Sequence, residues 1–282
     1  MKTILVPTDF SEQARNATRL AAEIARKGNA KIVLVTVIEG SRNFSFNTMG
    51  EAADAVGEEA FFINKLIEIQ KEHLQNAAED SALSGLTVET VLEMGSPYEG
   101  ISQVIADRKA DLLVMGTKGS SGLDEILIGS NTEKVVRYAK CPVITVKDEV
   151  SLNDIQNIVY ATDLTTDQSQ FINQIKEMQA LTGAKIHLLK VNTPNHFYTE
   201  RQMNDSFDKF IKKHGLENVT VNIYNEATEE DGILYFAEDL GSCMIAIATH
   251  GRTGLLHLLT GSIAEDLVNH ATIPVMTLSM KK

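Results

Sequence analysis

The sequence predicts an α/β protein built from two tandem, doubly wound, five-stranded parallel-sheet domains of strand order 3-2-1-4-5, related by a pseudo-twofold axis. Three observations lead there: the chain repeats itself, short apolar runs alternate with amphipathic stretches inside each repeat, and the apolar runs lack a polar face. The repeat is read directly. Residues 2–9 (KTILVPTD) return as 156–163 (QNIVYATD), and 30–37 (AKIVLVTV) as 184–191 (AKIHLLKV), both at an offset of 154. Further on, 119–130 (GSSGLDEILIGS) returns as 251–262 (GRTGLLHLLTGS), and 142–146 as 274–278, at an offset of 132. The two offsets differ by a 22-residue insertion in the first half, around residues 40–60. Domains are expected at 1–148 and 153–282, a division that suits a 282-residue chain.

Within the first half, the apolar strand 3–8 precedes a helix whose inner positions Ala14, Ala17, Leu20, Ala21, Ile24 and Ala25 recur at helical spacing. Gly28 is the expected helix stop. The strand 31–38 is apolar on both faces, as a strand covered by helices on both sides must be. A helix around 59–83 is expected to bury Phe62, Leu66, Ile69 and Ala77, with core packing as the expected role of Phe61, Phe62, Phe207 and Phe210. A strand near 86–92, a helix near 98–108, the strand 112–115, a helix near 130–139 and the strand 142–147 complete the half; the second half follows the same order. In this strand order the final strands of both halves are apolar edges. Uncovered edges invite aggregation, so the two are expected to pair into an intrachain pseudo-dimer.

Composition sets limits on function. Apolar residues make up 43% and charged residues 23%, an ordinary globular balance. A net charge of −12 argues against a nucleic-acid partner. Cys141 and Cys243 fall in separate halves without metal-ligand spacing, and the seven histidines are dispersed, so no metal site made of protein ligands is expected. No stretch approaches the ~18 apolar residues of a membrane span, and the first apolar run is cut by Asp9, so a cytoplasmic protein without a membrane partner is expected.

The chemistry-bearing pattern is Gly116-x2-Gly119-x9-Gly129-Ser130, which begins where a buried strand ends and finishes at a helix start. Glycines let a backbone approach a ligand, and a helix start offers unpaired N–H groups and partial positive charge suited to phosphate. Ser130 and Thr132 would add hydroxyl donors. The same residues also suit a plain strand–turn–helix connection with Ser130 as cap. Asp9 likewise reads either as a ligand group or as a helix cap, with Ser11 able to cap in its place.

With a first strand ending in Pro7-x-Asp9 and a final strand Cys141-Pro142-Val143-x-x-Val146, this glycine pattern resembles the universal stress protein family, and the likeness runs through both halves. The resemblance implies ATP binding, with Mg²⁺ on the phosphates. Asp9 would lie by the adenosine and the Val37 backbone against adenine; Gly116 and Gly119 would approach ribose and phosphates, and Gly129 and Ser130 would hold the phosphate tail. In the second half the same roles fall to Asp163, Val191, Gly251, Gly261 and Ser262. There Ala248 replaces the first glycine, and Ala161 and Ala264 stand opposite Pro7 and Thr132, which weakens that site. The resemblance also implies dimerisation through the final strand, which agrees with the intrachain pairing and leaves room for a homodimer or a protein partner of unknown identity.

The function expected is a nucleotide-binding regulatory protein of the stress response. The alternatives are a weak ATPase or nucleotidyl-transferring enzyme at the same site, and a scaffold without nucleotide. The Gly-x4-Gly-Lys-Ser/Thr loop is absent, and no base or nucleophile stands out beside the glycine loop.

Overall fold

The computed structural model describes residues 1–39, 58–117, 128–164, 168–249 and 263–280. The first half runs β1 (Thr3–Pro7), α1 (Glu12–Gly28), β2 (Lys31–Ile38), α2 (Glu58–Ala78), β3 (Val88–Met94), α3 (Pro97–Arg108), β4 (Leu112–Gly116), α4 (Ser130–Tyr138), β5 (Val143–Val146). The second runs β6 (Asn157–Ala161), α5 (Ser169–Thr182), β7 (Lys185–Asn192), α6 (Glu200–His214), β8 (Val219–Asn225), α7 (Glu229–Leu240), β9 (Cys243–Thr249), α8 (Ile263–His270), β10 (Val275–Ser279). All strands join one sheet in the order β3-β2-β1-β4-β5-β10-β9-β6-β7-β8.

Apolar side chains alternate between two cores, which explains the lack of a polar strand face. Ile4 and Val6 enter the core shared with α1, whereas Leu5 enters the opposite core with Ile101, Val104 and Val135. Every inner position expected of α1, from Ala14 to Ala25, is buried. That helix starts on Ser11, whose side chain accepts from the Ala14 amide, and its left-handed turn falls on Asn29 (φ 51°). The stop therefore lies one residue beyond Gly28, which stays helical; asparagine tolerates this conformation better than most non-glycine residues.

The face of α2 differs from expectation. Ile67 and Leu74 are buried, whereas Phe61 and Phe62 are 69% and 68% exposed and Leu66 and Ile69 also face outward. Two apolar stripes compete on this helix, and a period of 3.6 cannot say which one meets the sheet. Phe207 and Phe210 of α6 are buried, as expected.

The edges pair as anticipated. β5 and β10 run antiparallel with Thr145 opposite Val275, Ile144 opposite Met276 and Val143 opposite Thr277, while every other strand pair is parallel. The Ile144–Met276 pair consists of repeat equivalents, so the pseudo-twofold axis passes through it. Both cores continue across the seam. On one face α4 packs on α8, where Arg137 grips the buried Glu265 with two 2.6 Å hydrogen bonds. The connection between the halves is tied down: Glu23 of α1 accepts from the Ser151 hydroxyl (2.8 Å) and the Leu152 amide (2.7 Å).

Candidate functional site

Parallel pairing of Ile4 with Leu112 and Leu5 with Leu113 makes β1 and β4 neighbours, so their carboxyl ends lie side by side. Doubly wound sheets bind ligands in the cleft beyond such ends. The chain leaves β1 through a tight turn: Thr8 Oγ1 accepts from the Phe10 amide (3.1 Å), and Phe10 takes a left-handed conformation (φ 65°). Asp9 is exposed between them, and its carboxylate accepts from the Ser11 amide (3.1 Å). Because Ser11 caps α1, Asp9 is not the cap itself.

The second half repeats this turn, with Thr162 Oγ1 accepting from the Leu164 amide (3.1 Å) and Leu164 at φ 64°. A non-glycine residue at positive φ costs about 1 kcal/mol or more, and its recurrence at both strand ends marks a turn under constraint. No expectation from the sequence covers this turn. The signal available was Thr-Asp followed by a large apolar residue in both halves.

Val37, half-buried near the end of β2, lies opposite Glu93 of β3. Burial, reinforced by Asp107 and opposed by Arg108, pushes the Glu93 carboxyl up. Helix α3 closes on Val37 through Gly100, where a Cβ would lie 3.1 Å from the valine Cγ2. In the second half, a Cβ on Gly232 of α7 would lie 2.6 Å from Val191 Cγ1. Gly100 and Gly232 thus let these helices close on Val37 and Val191, a contact legible in the sequence only as glycines 132 residues apart in the two repeats.

Gly116 and Gly129 are glycines for different reasons. Neither has a positive φ. A Cβ on Gly116 would lie 2.8 Å from Gln13 Cβ and 2.9 Å from the Gln13 carbonyl carbon, so this glycine admits the first turn of α1. Gly129 is the N-cap of α4 (φ −62°, ψ 141°); among the described residues no side chain caps that helix, and a Cβ there would meet only ordinary contacts at 3.9 Å. Its amide donates to Thr117 O (3.0 Å), and the preceding amide, of Ile128, donates to Asn269 Oδ1 (2.7 Å).

Ser130 is exposed at the first helical position. Thr132 departs from its expected role as phosphate donor: it is buried, and its hydroxyl donates to Gly116 O (3.2 Å), bracing the end of β4 against the start of α4. The Thr117 hydroxyl is buried without a hydrogen-bond partner among the described residues. Gly119, Gly251, Gly261 and Ser262 lie outside the described residues.

The second cleft has a different floor. Tyr160 and Gln168 occupy the repeat positions of Val6 and Ala14, and Gln168 Oε1 accepts hydrogen bonds from the Tyr160 phenol and the Thr162 hydroxyl. Burial pushes the Tyr160 phenol up, so it stays a neutral donor. Ala248, next to last in β9, stands at the repeat position that Gly116 holds at the end of β4, and Ala264 is buried without the Thr132 hydroxyl. Asp163 is half-buried beside this floor. Helix α5 starts at Ser169, three positions later in the repeat than α1.

Among the described residues, no group of three or more His, Cys, Asp or Glu side chains could hold a metal ion, and no helix is long and apolar enough to cross a membrane.

The model of the universal stress protein family matches residues 1–147 and again 154–279. The chain belongs to the universal stress protein family. Two staphylococcal proteins named as universal stress proteins align with a little over half of it. One, from Staphylococcus haemolyticus strain JCSC1435, is 32% identical over 157 residues, 55% of this chain and 90% of the relative. The other, from Staphylococcus aureus strain USA300, is 34% identical over 164 residues, 58% of this chain and 94% of the relative. A universal stress protein structure from Archaeoglobus fulgidus DSM 4304 superposes over the whole length, with a TM-score of 0.76, 20% identity, and coverage of 99% of this chain and 98% of that one. At that identity the likeness speaks for the tandem fold, not for a ligand.

Proposed function

We propose that this universal stress protein is a cytoplasmic regulatory protein whose first half binds ATP, with the start of α4 holding the phosphates. The start of α4 carries this reading. Gly116 is accounted for by the Gln13 backbone, but no contact among the described residues demands glycine at 129. A helix start without a side-chain cap, with an exposed serine at its first position and a residue without a side chain before it, suits an anion that approaches the main chain closely. Asp9 supplies a carboxylate at the neighbouring strand end, and the half-buried Val37 lies near the end of the next strand, in keeping with a phosphate–ribose–adenine span across β4, β1 and β2. Mg²⁺ usually binds through one or two carboxylates together with substrate phosphates. The absence of a metal-ligand cluster among the described residues is in keeping with that mode.

The second half is the weaker candidate, because Ala248 and the Tyr160–Gln168 pair change the floor of its cleft. Calorimetry with ATP and Mg²⁺ tests the reading. One site per chain is expected, lost in Gly129→Val with the melting temperature largely kept, because the described residues leave room for a Cβ there. Unchanged affinity in that variant would remove the phosphates from the start of α4.

A further inference from the structure

The helix start proposed to hold the phosphates in the first half is fastened by a residue of the second half. Asn269, in the last turn of α8, accepts the Ile128 amide proton at 2.7 Å across the seam. Ile128 immediately precedes Gly129, whose own amide goes to Thr117 O at 3.0 Å. Two successive amides are thus held in opposite directions, one by the end of β4 and one by the other half of the molecule. Together they set where the chain enters α4 and hence where the following amides point. A backbone N–H needs an acceptor, so the Asn269 side chain must present its oxygen here.

The repeat makes this contact informative. The counterpart of Asn269 in the first half is Arg137, and that of Glu265 is Glu133. Arginine has no acceptor atom, so Arg137 cannot return the same bond to the second half. Its guanidinium instead pairs with Glu265 at 2.6 Å and approaches Glu133 at 3.5 Å. Two positions equivalent by descent have diverged, one to lock the seam and one to hold a loop.

We infer that Asn269 is a positioning residue for nucleotide binding, supplied in trans by the second half to the first, so that the weakened half serves as the support of the working one. This rests on the proposed ATP site in the first half. If the Ile128–Asn269 bond favours ATP binding, linkage requires ATP to strengthen that bond by the same factor.

The test compares Asn269→Ala with Arg137→Gln in the full chain, reading the ATP Kd by calorimetry, the melting temperature, and hydrogen exchange at the Ile128 amide. Asn269→Ala should raise Kd roughly fivefold to tenfold, the range of one lost hydrogen bond. It should expose the Ile128 amide to exchange and leave the melting temperature nearly unchanged. Arg137→Gln should do the reverse, lowering the melting temperature while Kd stays within about twofold. Asn269→Asp keeps the acceptor and should keep Ile128 protected. Wild-type affinity in Asn269→Ala with an unprotected Ile128 amide would overturn the inference, as would a Kd loss in Arg137→Gln equal to that in Asn269→Ala. Failure of the wild-type chain to bind ATP would instead strike the proposed function, and the exchange measurement would still report whether Asn269 holds the loop.

Discussion

Gly116 at the end of β4 lies against the main chain of Gln13 in the first turn of α1, close enough that a methyl group would sit 2.8 Å from Gln13 Cβ. The obstacle is backbone and Cβ, not the movable end of a side chain, so α1 would have to shift. Gly116→Ala is expected to cost about 1–3 kcal/mol of stability in urea denaturation, the range for overpacking. The second half carries alanine at this position and begins its helix later, which is the relief expected of such a shift. A loss below about 0.5 kcal/mol would mean that α1 yields freely and that Gly116 serves a ligand instead.

On α2 the outward aromatics and the inward aliphatics should respond oppositely to truncation. Phe61→Ser and Phe62→Ser are expected to change stability by no more than about 0.5 kcal/mol, as exposed substitutions do. Leu74→Ala, at a position 3% exposed, should cost about 2–5 kcal/mol. Equal losses at Phe62 and Leu74 would show that the helix turns its other face to the sheet.

His187 of β7 should make the fold sensitive to acid. Its ring Nε2 is 3.1 Å from Asn157 Oδ1, and its Nδ1 is 3.5 Å from the Asn222 amide nitrogen. That geometry suits a neutral ring, donating through one nitrogen and accepting through the other. Burial, with Lys185 nearby, holds its pKa below the ordinary 6.5. The unfolded chain therefore takes up the proton first. The contribution is complete above 6.5 and is lost as pH falls from there through the folded pKa. In paired denaturation curves at about pH 7.5 and about pH 5, His187→Gln should show a smaller loss of stability on acidification than the wild type. An identical loss in both would remove His187 from the acid response.

Both thiols should be inert in the native protein. Cys141 and Cys243 are buried and unpaired, and burial pushes their pKa values up to about 12 and about 11. The thiolate is the reactive species. Thiol titration at neutral pH is expected to find both cysteines only after denaturation. Rapid labelling of either one in the folded state would contradict its burial.

By itself, the sequence determined the duplication and the order of strands and helices along the chain, which follow from colinearity and alternation. The meeting of the two apolar edges and the neighbouring positions of Asp9 and Gly116 were expectations that depended on the strand order 3-2-1-4-5, and the pairing of β1 with β4 and of β5 with β10 settled them. Tertiary structure decided the rest. Which stripe of α2 turns inward depends on phase, and phase is set by the sheet the helix meets rather than by its period. That Gly116 makes room for Gln13, and that Thr132 spends its hydroxyl on Gly116, depend on how closely a helix settles on a strand. The bond from Ile128 to Asn269 joins residues 141 apart in sequence, across a seam that exists only once β5 and β10 have paired. No local pattern encodes such a partner, because neither residue differs from an ordinary loop isoleucine or helix-end asparagine until the two halves are packed together.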